Sequence, residues 1–118
     1  MRLIFIRHGQ AEDATENIGD ARRVLTAKGK ERLENVYPAF ARYLNSKKHC
    51  EVWTSPKARA LETANVLCRY MPGVKPLTQN FLEEGNFDAF CRAIRAHDHG
   101  ETLVVVGHEP YLSDWVRE

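Results

Sequence analysis

The sequence predicts an α/β domain built on a doubly wound, mainly parallel sheet with helices on both faces. Two short apolar runs, Leu3 to Ile6 and the segment ending at Val104-Val105-Val106, lack polar alternation, as strands buried on both sides do. Between them, segments with apolar residues at three- and four-residue steps alternate with shorter strand-like stretches, the pattern of a sheet wound with crossover helices. Both apolar runs also end in glycine and histidine, Arg7-His8-Gly9 and Gly107-His108-Glu109-Pro110. Open α/β sheets hold ligands at the carboxyl ends of their strands, so both segments stand where chemistry is expected.

The bulk properties narrow the class. At 118 residues the chain has room for one core, and without repeats, low-complexity tracts or linkers residues 1–118 read as a single domain. The 17 basic and 16 acidic residues leave a formal charge of +1, spread along the chain, which argues against a nucleic-acid binder. No apolar run approaches the roughly 20 residues a bilayer span needs. The chain starts at once with a strand, so no signal peptide is expected. Cys50, Cys68 and Cys91 are odd in number and without close pairing, the usage of free thiols in a reducing cytoplasm.

In chain order, residues 10–24 are polar and read as a loop over the site, with Arg22 and Arg23 at its end. Thr26 reads as the N-cap of a long helix whose stripe is Leu33, Val36, Tyr37, Phe40 and Leu44. Pro38 falls inside that stripe and predicts a kink or a division into two helices. Glu51 to Thr54 is a short strand closed by Ser55-Pro56. The next helix runs from Lys57 to about Tyr70, with Ala58, Leu61, Ala64, Val66, Leu67 and Met71 inward, and Pro72-Gly73 stops it. Val74 to Thr78 is a weak strand that Pro76 assigns to an edge. Asn86 to Ala96 reads as a helix, His97 to Gly100 as a turn, and Glu101 to Val106 as the second buried strand. Pro110 suits the first turn of a last helix carrying Leu112, Trp115 and Val116. Trp53 and Trp115 read as packing residues.

If the two glycine–histidine strands lie side by side, His8 and His108 meet. The helix after Thr54-Ser55-Pro56 carries Arg59 in its first turn, where a helix N-terminus already favours anions. Arg7, His8, Arg59 and His108 then converge as one nucleophile and three potentially positive groups, a set suited to a phosphoryl group whose transition state mainly needs positioning and charge neutralisation.

Four blocks carry a resemblance over essentially the whole chain: IFIRHG at the start, RRVLTAKG at Arg22 to Gly29, TSPKARALETA at Thr54 to Ala64, and VVVGHEP at Val104 to Pro110. The chain resembles the histidine phosphatase superfamily, with its phosphoglycerate-mutase-like fold, and within it the short SixA-type phosphohistidine phosphatases. The resemblance implies a metal-independent, cofactor-free hydrolase in which His8 is transiently phosphorylated, with Arg7, Arg59 and His108 on the phosphoryl oxygens. It also implies substrate contacts by Gly9, Arg23 and Ser55. Ser55 by itself reads more readily as a cap of the helix that bears Arg59, and Glu109 as an acid at a helix start or a partner of His108.

Three departures stand out. Val24 replaces the proline that often precedes Leu-Thr. Phe81-Leu82-Glu83-Glu84-Gly85 replaces a Glu-Leu-x-Pro stretch, leaving Glu83 and Glu84 as unassigned candidates for a proton donor. Relatives also continue past the second histidine block, so the fold is expected to lack the family's C-terminal portion. An apolar patch should then stay open around Trp115 and leave the chain either marginally stable or paired with another copy through that region.

The implied substrate is phosphohistidine in a protein: the chain has no room for the inserted lids of relatives that act on sugar phosphates, and an imidazole leaving group needs little acid assistance. The alternatives are a small phosphomonoesterase using Glu83 or Glu84, and a phosphate-binding or interaction module without turnover. A zinc site from His97, His99, His8 and His108 is disfavoured by the arginines converging there. The lysines of Lys28-Gly29-Lys30 and Lys47-Lys48 read as solvated helix ends.

Overall fold

The computed structural model describes residues 2–13, 19–46, 49–96 and 102–116. The expectations for Lys47, Lys48, the His97–Gly100 turn and the middle of the first loop lie outside those residues. Strand β1 spans Arg2–Arg7, followed by a single 3-10 turn at Asp20–Arg22 in the segment read as plain loop. Helix α1 (Ala27–Asn45), strand β2 (Cys50–Thr54), helix α2 (Ala58–Cys68) and a two-residue strand β3 (Leu77–Thr78) come next. Helices α3 (Phe81–Glu84) and α4 (Phe87–Ala96), strand β4 (Thr102–Gly107) and helix α5 (Tyr111–Val116) complete the order.

The four strands form one parallel sheet in the order β1-β4-β2-β3. β4 is central and buried along its whole length. β1 is not buried on both sides as its composition suggested. It forms an edge, with Leu3 38% exposed and Ile4, Phe5 and Ile6 half-buried. The side-chain period of two sends Val104, Val106, Val52, Ile4 and Ile6 to one face, against α1 and α2. Leu103, Val105, Trp53 and Phe5 face the other way, against Leu82 of α3, Phe90 of α4, and Leu112 and Trp115 of α5. Helices therefore cover both faces, as a doubly wound sheet requires.

Thr26 caps α1: its hydroxyl accepts the Gly29 N–H at 2.9 Å. Pro38 lies inside this helix without dividing it. Tyr37, Ala41 and Leu44 bury one continuous face on both sides of the proline, and that packing carries the helix through. Val36, expected in the stripe, is 60% exposed because the buried face centres on Tyr37 and Ala41, one helical step away. Asn86 caps α4 by accepting the Ala89 N–H. α3, which the sequence did not reveal, is a single turn closed by Gly85 in the left-handed region (φ 70°).

At the C-terminal end Leu112 and Trp115 are buried, and Trp115 stacks on Phe90 at 4.8 Å between ring centroids. The expected open patch around Trp115 is therefore absent among the described residues. Val116, at 68% exposure, points outward instead. No helix of the described residues is long and apolar enough to cross a membrane.

Candidate active site

Three strand ends meet at one cleft. The sheet pairing continues a residue past the strands: His8 N–H donates to the Gly107 carbonyl (3.2 Å), and Ser55 N–H donates to the Val106 carbonyl (3.0 Å). These bonds bring His8 beside His108, with ring centroids 5.2 Å apart. The turn after β1 is tied to α2 by Gly9 N–H, which donates to the Thr63 hydroxyl at 3.0 Å. Thr63 in turn donates to the Arg59 carbonyl at 2.7 Å, so the histidine turn is tied to the arginine helix. A side chain at position 9 would sit 3.1 Å from Leu33, and glycine keeps that packing possible.

The hydrogen bonds fix the tautomer of His8. Its Nδ1 lies 2.7 Å from the Gly9 carbonyl, which can only accept, so Nδ1 carries the proton. Its Nε2 accepts from the Arg59 Nε–H at 3.2 Å and therefore holds the lone pair. Burial pulls the His8 pKa below its ordinary value. The Gly9 carbonyl opposes that shift, and Arg59, Arg7 and Arg23 add to it. The ring is neutral, with a lone pair directed toward the arginines.

His108, 4% exposed, places Nε2 2.7 Å from the Ser55 hydroxyl. Burial, reinforced by Arg59, drives its pKa down to about 3, so it is a neutral imidazole in the free protein and not one of the positive groups the sequence suggested. Its Nδ1 is buried without a hydrogen-bond partner among the described residues. Ser55, also buried, lies behind His108 and does not line the cleft. It does not cap α2 either, whose N-cap is Lys57. Its hydroxyl accepts the Lys57 N–H at 3.2 Å and supports His108.

Arg59 is 4% exposed and fully engaged. Besides His8, it donates from Nη1 to the Asp20 main-chain carbonyl (2.8 Å) and from Nη2 to the Asp20 carboxylate (3.2 Å). The same carboxylate pairs with Lys57 and Arg23, each at 2.9 Å. Hydrogen bonding from Lys57, with Arg59 adding to it, holds the Asp20 carboxyl well below the usual carboxylate range. Asp20, Thr63 and Glu62 were missed in the sequence. Glu62 accepts the Leu25 N–H at 2.9 Å and pairs with Lys30 at 3.1 Å, holding the loop before α1 against α2. The signal available for Glu62 and Thr63 was their spacing, three and four residues past Arg59.

The resulting cleft has a volume of about 670 Å³ and is lined by Arg7, His8, Gly9, Arg23, Arg59 and His108 together. Lys28, read as a solvated helix end, lines it as well. Glu83 and Glu84 do not. Among the described residues the one carboxylate in its wall is that of Glu109, which is exposed. No group of three or more potential metal ligands occurs among the described residues.

A family model of the histidine phosphatase superfamily (branch 1) matches residues 3–91. The chain is 34% identical over 119 aligned positions to an uncharacterised protein of Picosynechococcus, covering 98% of this chain and 70% of that one. Its fold is similar to that of the Agrobacterium tumefaciens protein assigned as phosphohistidine phosphatase SixA, with a TM-score of 0.83, 20% identity, and coverage of 98% of this chain and 74% of that one. It is also similar to a protein histidine phosphatase SixA complexed with tungstate, with a TM-score of 0.77, 21% identity, and coverage of 100% and 76%. The chain is thus shorter than each of these.

Proposed function

The chain belongs to the histidine phosphatase superfamily, and on that premise we propose that residues 1–118 form one phosphatase domain that removes the phosphoryl group from phosphohistidine in a protein, through His8. The observation that carries the reading is the fixed tautomer of His8, with Nδ1–H on the Gly9 carbonyl and the Nε2 lone pair facing Arg59. A neutral imidazole held that way is ready to attack without prior loss of a proton. Arg7 and Arg59 supply the positive charge for the phosphoryl oxygens, and His108 adds a neutral ring at the same point. Arg23 and Gly9 frame the substrate, and Ser55 acts only by positioning His108.

In the first step a bond forms between His8 Nε2 and phosphorus while the bond to the substrate's imidazole nitrogen breaks. With the substrate ring protonated on its other nitrogen, that electron pair leaves on a neutral imidazole, and no acid has to reach the departing atom. The phosphorylated His8 keeps its proton on Nδ1, so its ring is cationic and a good leaving group in turn. Water then attacks phosphorus, a proton passes to solvent, orthophosphate departs, and His8 returns to its neutral tautomer. A cleft whose wall holds a single, exposed carboxylate suits this substrate better than a phosphomonoester, whose alkoxide must be protonated as it leaves. The tungstate held by the SixA relative is an oxyanion of phosphate-like shape, which supports an anion site in this fold.

The test compares a phosphohistidine protein with p-nitrophenyl phosphate, using the wild type and His8→Ala. The wild type should prefer the phosphohistidine protein in kcat/KM and form a label that survives base and is lost in acid. His8→Ala should lose turnover of both and still bind orthophosphate. An acid-stable phosphoenzyme would refute His8 as nucleophile, and a preference for p-nitrophenyl phosphate would refute the substrate class.

A further inference from the structure

The cleft carries more positive charge than one phosphoryl group requires. Five cationic side chains line it, Arg7, Arg23, Lys28, Arg32 and Arg59, against the carboxylate of Glu109. A phosphoryl dianion is matched by Arg7 and Arg59, and Asp20 pairs with both Arg23 and Arg59. Lys28 and Arg32 remain, exposed in the wall of the cleft and without an ion pair among the described residues.

Their position runs against the local electrostatics. They stand four residues apart on α1, hence on one face of the helix. The first turn of α1 contains Lys28 and Lys30 and no acidic residue, at the end of the helix whose dipole disfavours cations. Lys30 is compensated by Glu62, and Lys28 has no such partner among the described residues. The fold also brings this end of α1 close to the histidine turn: Thr26 N–H donates to the Gln10 carbonyl at 2.9 Å, and an added Cβ at Gly29 would lie 2.5 Å from that oxygen. Glycine at 29 is what lets this end of α1 lie against the histidine turn, with Lys28 in the wall of the cleft.

We propose that Lys28 and Arg32 bind acidic side chains adjoining the phosphohistidine of a protein substrate. The inference rests on the reading of a phosphohistidine protein as substrate and names which segments are favoured. The exposure of both cations points to a polypeptide crossing the mouth, since a compact second phosphate would be gripped by enclosed donors. Exposed charge pairs of this kind steer and select partners and are screened by salt.

The test uses two peptides carrying a phosphoryltriazole side chain, a hydrolysis-resistant phosphohistidine mimic, flanked by aspartates in one and by asparagines in the other. Calorimetric titration of the wild type at low salt should give at least about tenfold tighter binding of the aspartate peptide, falling toward parity near 0.5 M salt. The double variant Lys28→Ala/Arg32→Ala should bring the ratio close to one. Equal affinities in the wild type, no binding of either peptide, or a ratio untouched by the double variant would overturn the inference. A gain in affinity from orthophosphate to pyrophosphate that the double variant abolishes, beside equal peptides, would replace it with a small diphosphorylated ligand. Failure of the underlying reading shows separately, as no turnover of a phosphohistidine protein whatever the peptide ratio.

Discussion

The two sides of the cleft are built differently. On the β4 side everything is interior: all six residues of the strand are buried, and Ser55, Arg59 and His108 are each 4% exposed or less. On the β1 side the strand is a half-exposed edge, Arg7 is at the surface, and the Asp20 side chain is 52% exposed. Burial lowers the pKa of both histidines and leaves both rings neutral; at His8 the Gly9 carbonyl opposes the shift, while His108, without such a bond, is driven down to about 3. The core side fixes positions and keeps an imidazole neutral. The edge side stays open enough to admit a substrate and to hold cations in water.

Arg59 reaches from the interior side to the open one, and after the loss of His8 its removal should have the largest effect. Its guanidinium reaches His8 and both oxygens of Asp20 that face it, from the first turn of α2. Arg59→Ala removes a charge-assisted contact to the phosphoryl group and frees His8 Nε2 from its donor. A loss of about 2 to 4 kcal/mol of transition-state stabilisation, or roughly 30- to 1000-fold in kcat/KM, is expected. Steady-state kinetics on the phosphohistidine protein measures it, and an unchanged kcat/KM would remove Arg59 from the phosphoryl site.

The interior side should also announce itself in the pH dependence of stability. With a folded pKa of about 3 and an ordinary value of 6.5, His108 stays unprotonated in the folded protein where the unfolded chain takes up a proton. Stability is therefore lost as pH falls through 6.5 toward 3, and the lowered pKa of His8 acts in the same direction. From His108 alone the loss between pH 7 and pH 5 is about 2 kcal/mol. Asp20 adds nothing in that window, because its depressed pKa contributes stability that is lost only below its ordinary value of 3.8. Thermal melts at pH 7 and pH 5 should show a lower Tm at pH 5, and His108→Gln should flatten the difference. A wild-type Tm equal at both values would mean that His108 finds a proton-stabilising partner.

The interior side was also the more legible in the sequence. The run ending at Val106 had to be a central strand, since no face of it could meet water, and its glycine–histidine end fixed one pole of the cleft. Arg7, His8, Arg23, Arg59 and His108 were all singled out, and they do share the cleft. β1 misled because an apolar run shows that a strand is shielded above and below, and says nothing about whether a neighbour lies on each side. Glu83 and Glu84 stayed unassigned for a related reason: α3 is one turn long, too short for any periodicity to reveal, and neither acid lines the cleft. Ser55 was placed at a helix start by its local sequence, yet its partner His108 is 53 residues away. Asp20 was illegible because its role depends on Lys57 and Arg59, which only the folded chain brings to it.

Asp20 offers the finest test of the contrast between the two sides. Its carboxylate lies 3.2 Å from Arg59 and 2.9 Å from both Lys57 and Arg23, so an anion of the protein's own partly neutralises the guanidinium that a phosphoryl group must use. Asp20→Asn keeps the size of the side chain and leaves the main-chain carbonyl that holds Arg59 at 2.8 Å. Only the charge is removed. Because the group is half-exposed and solvent screens it, the gain is modest, with orthophosphate binding about two- to fivefold more tightly. Calorimetric titration with orthophosphate reads the change directly. Tighter binding would identify Asp20 as a resident competitor for the anion site. Unchanged or weaker binding would mean instead that its charge is needed to hold Arg59 in place, and the open side of the cleft would then be as firmly ordered as the buried one.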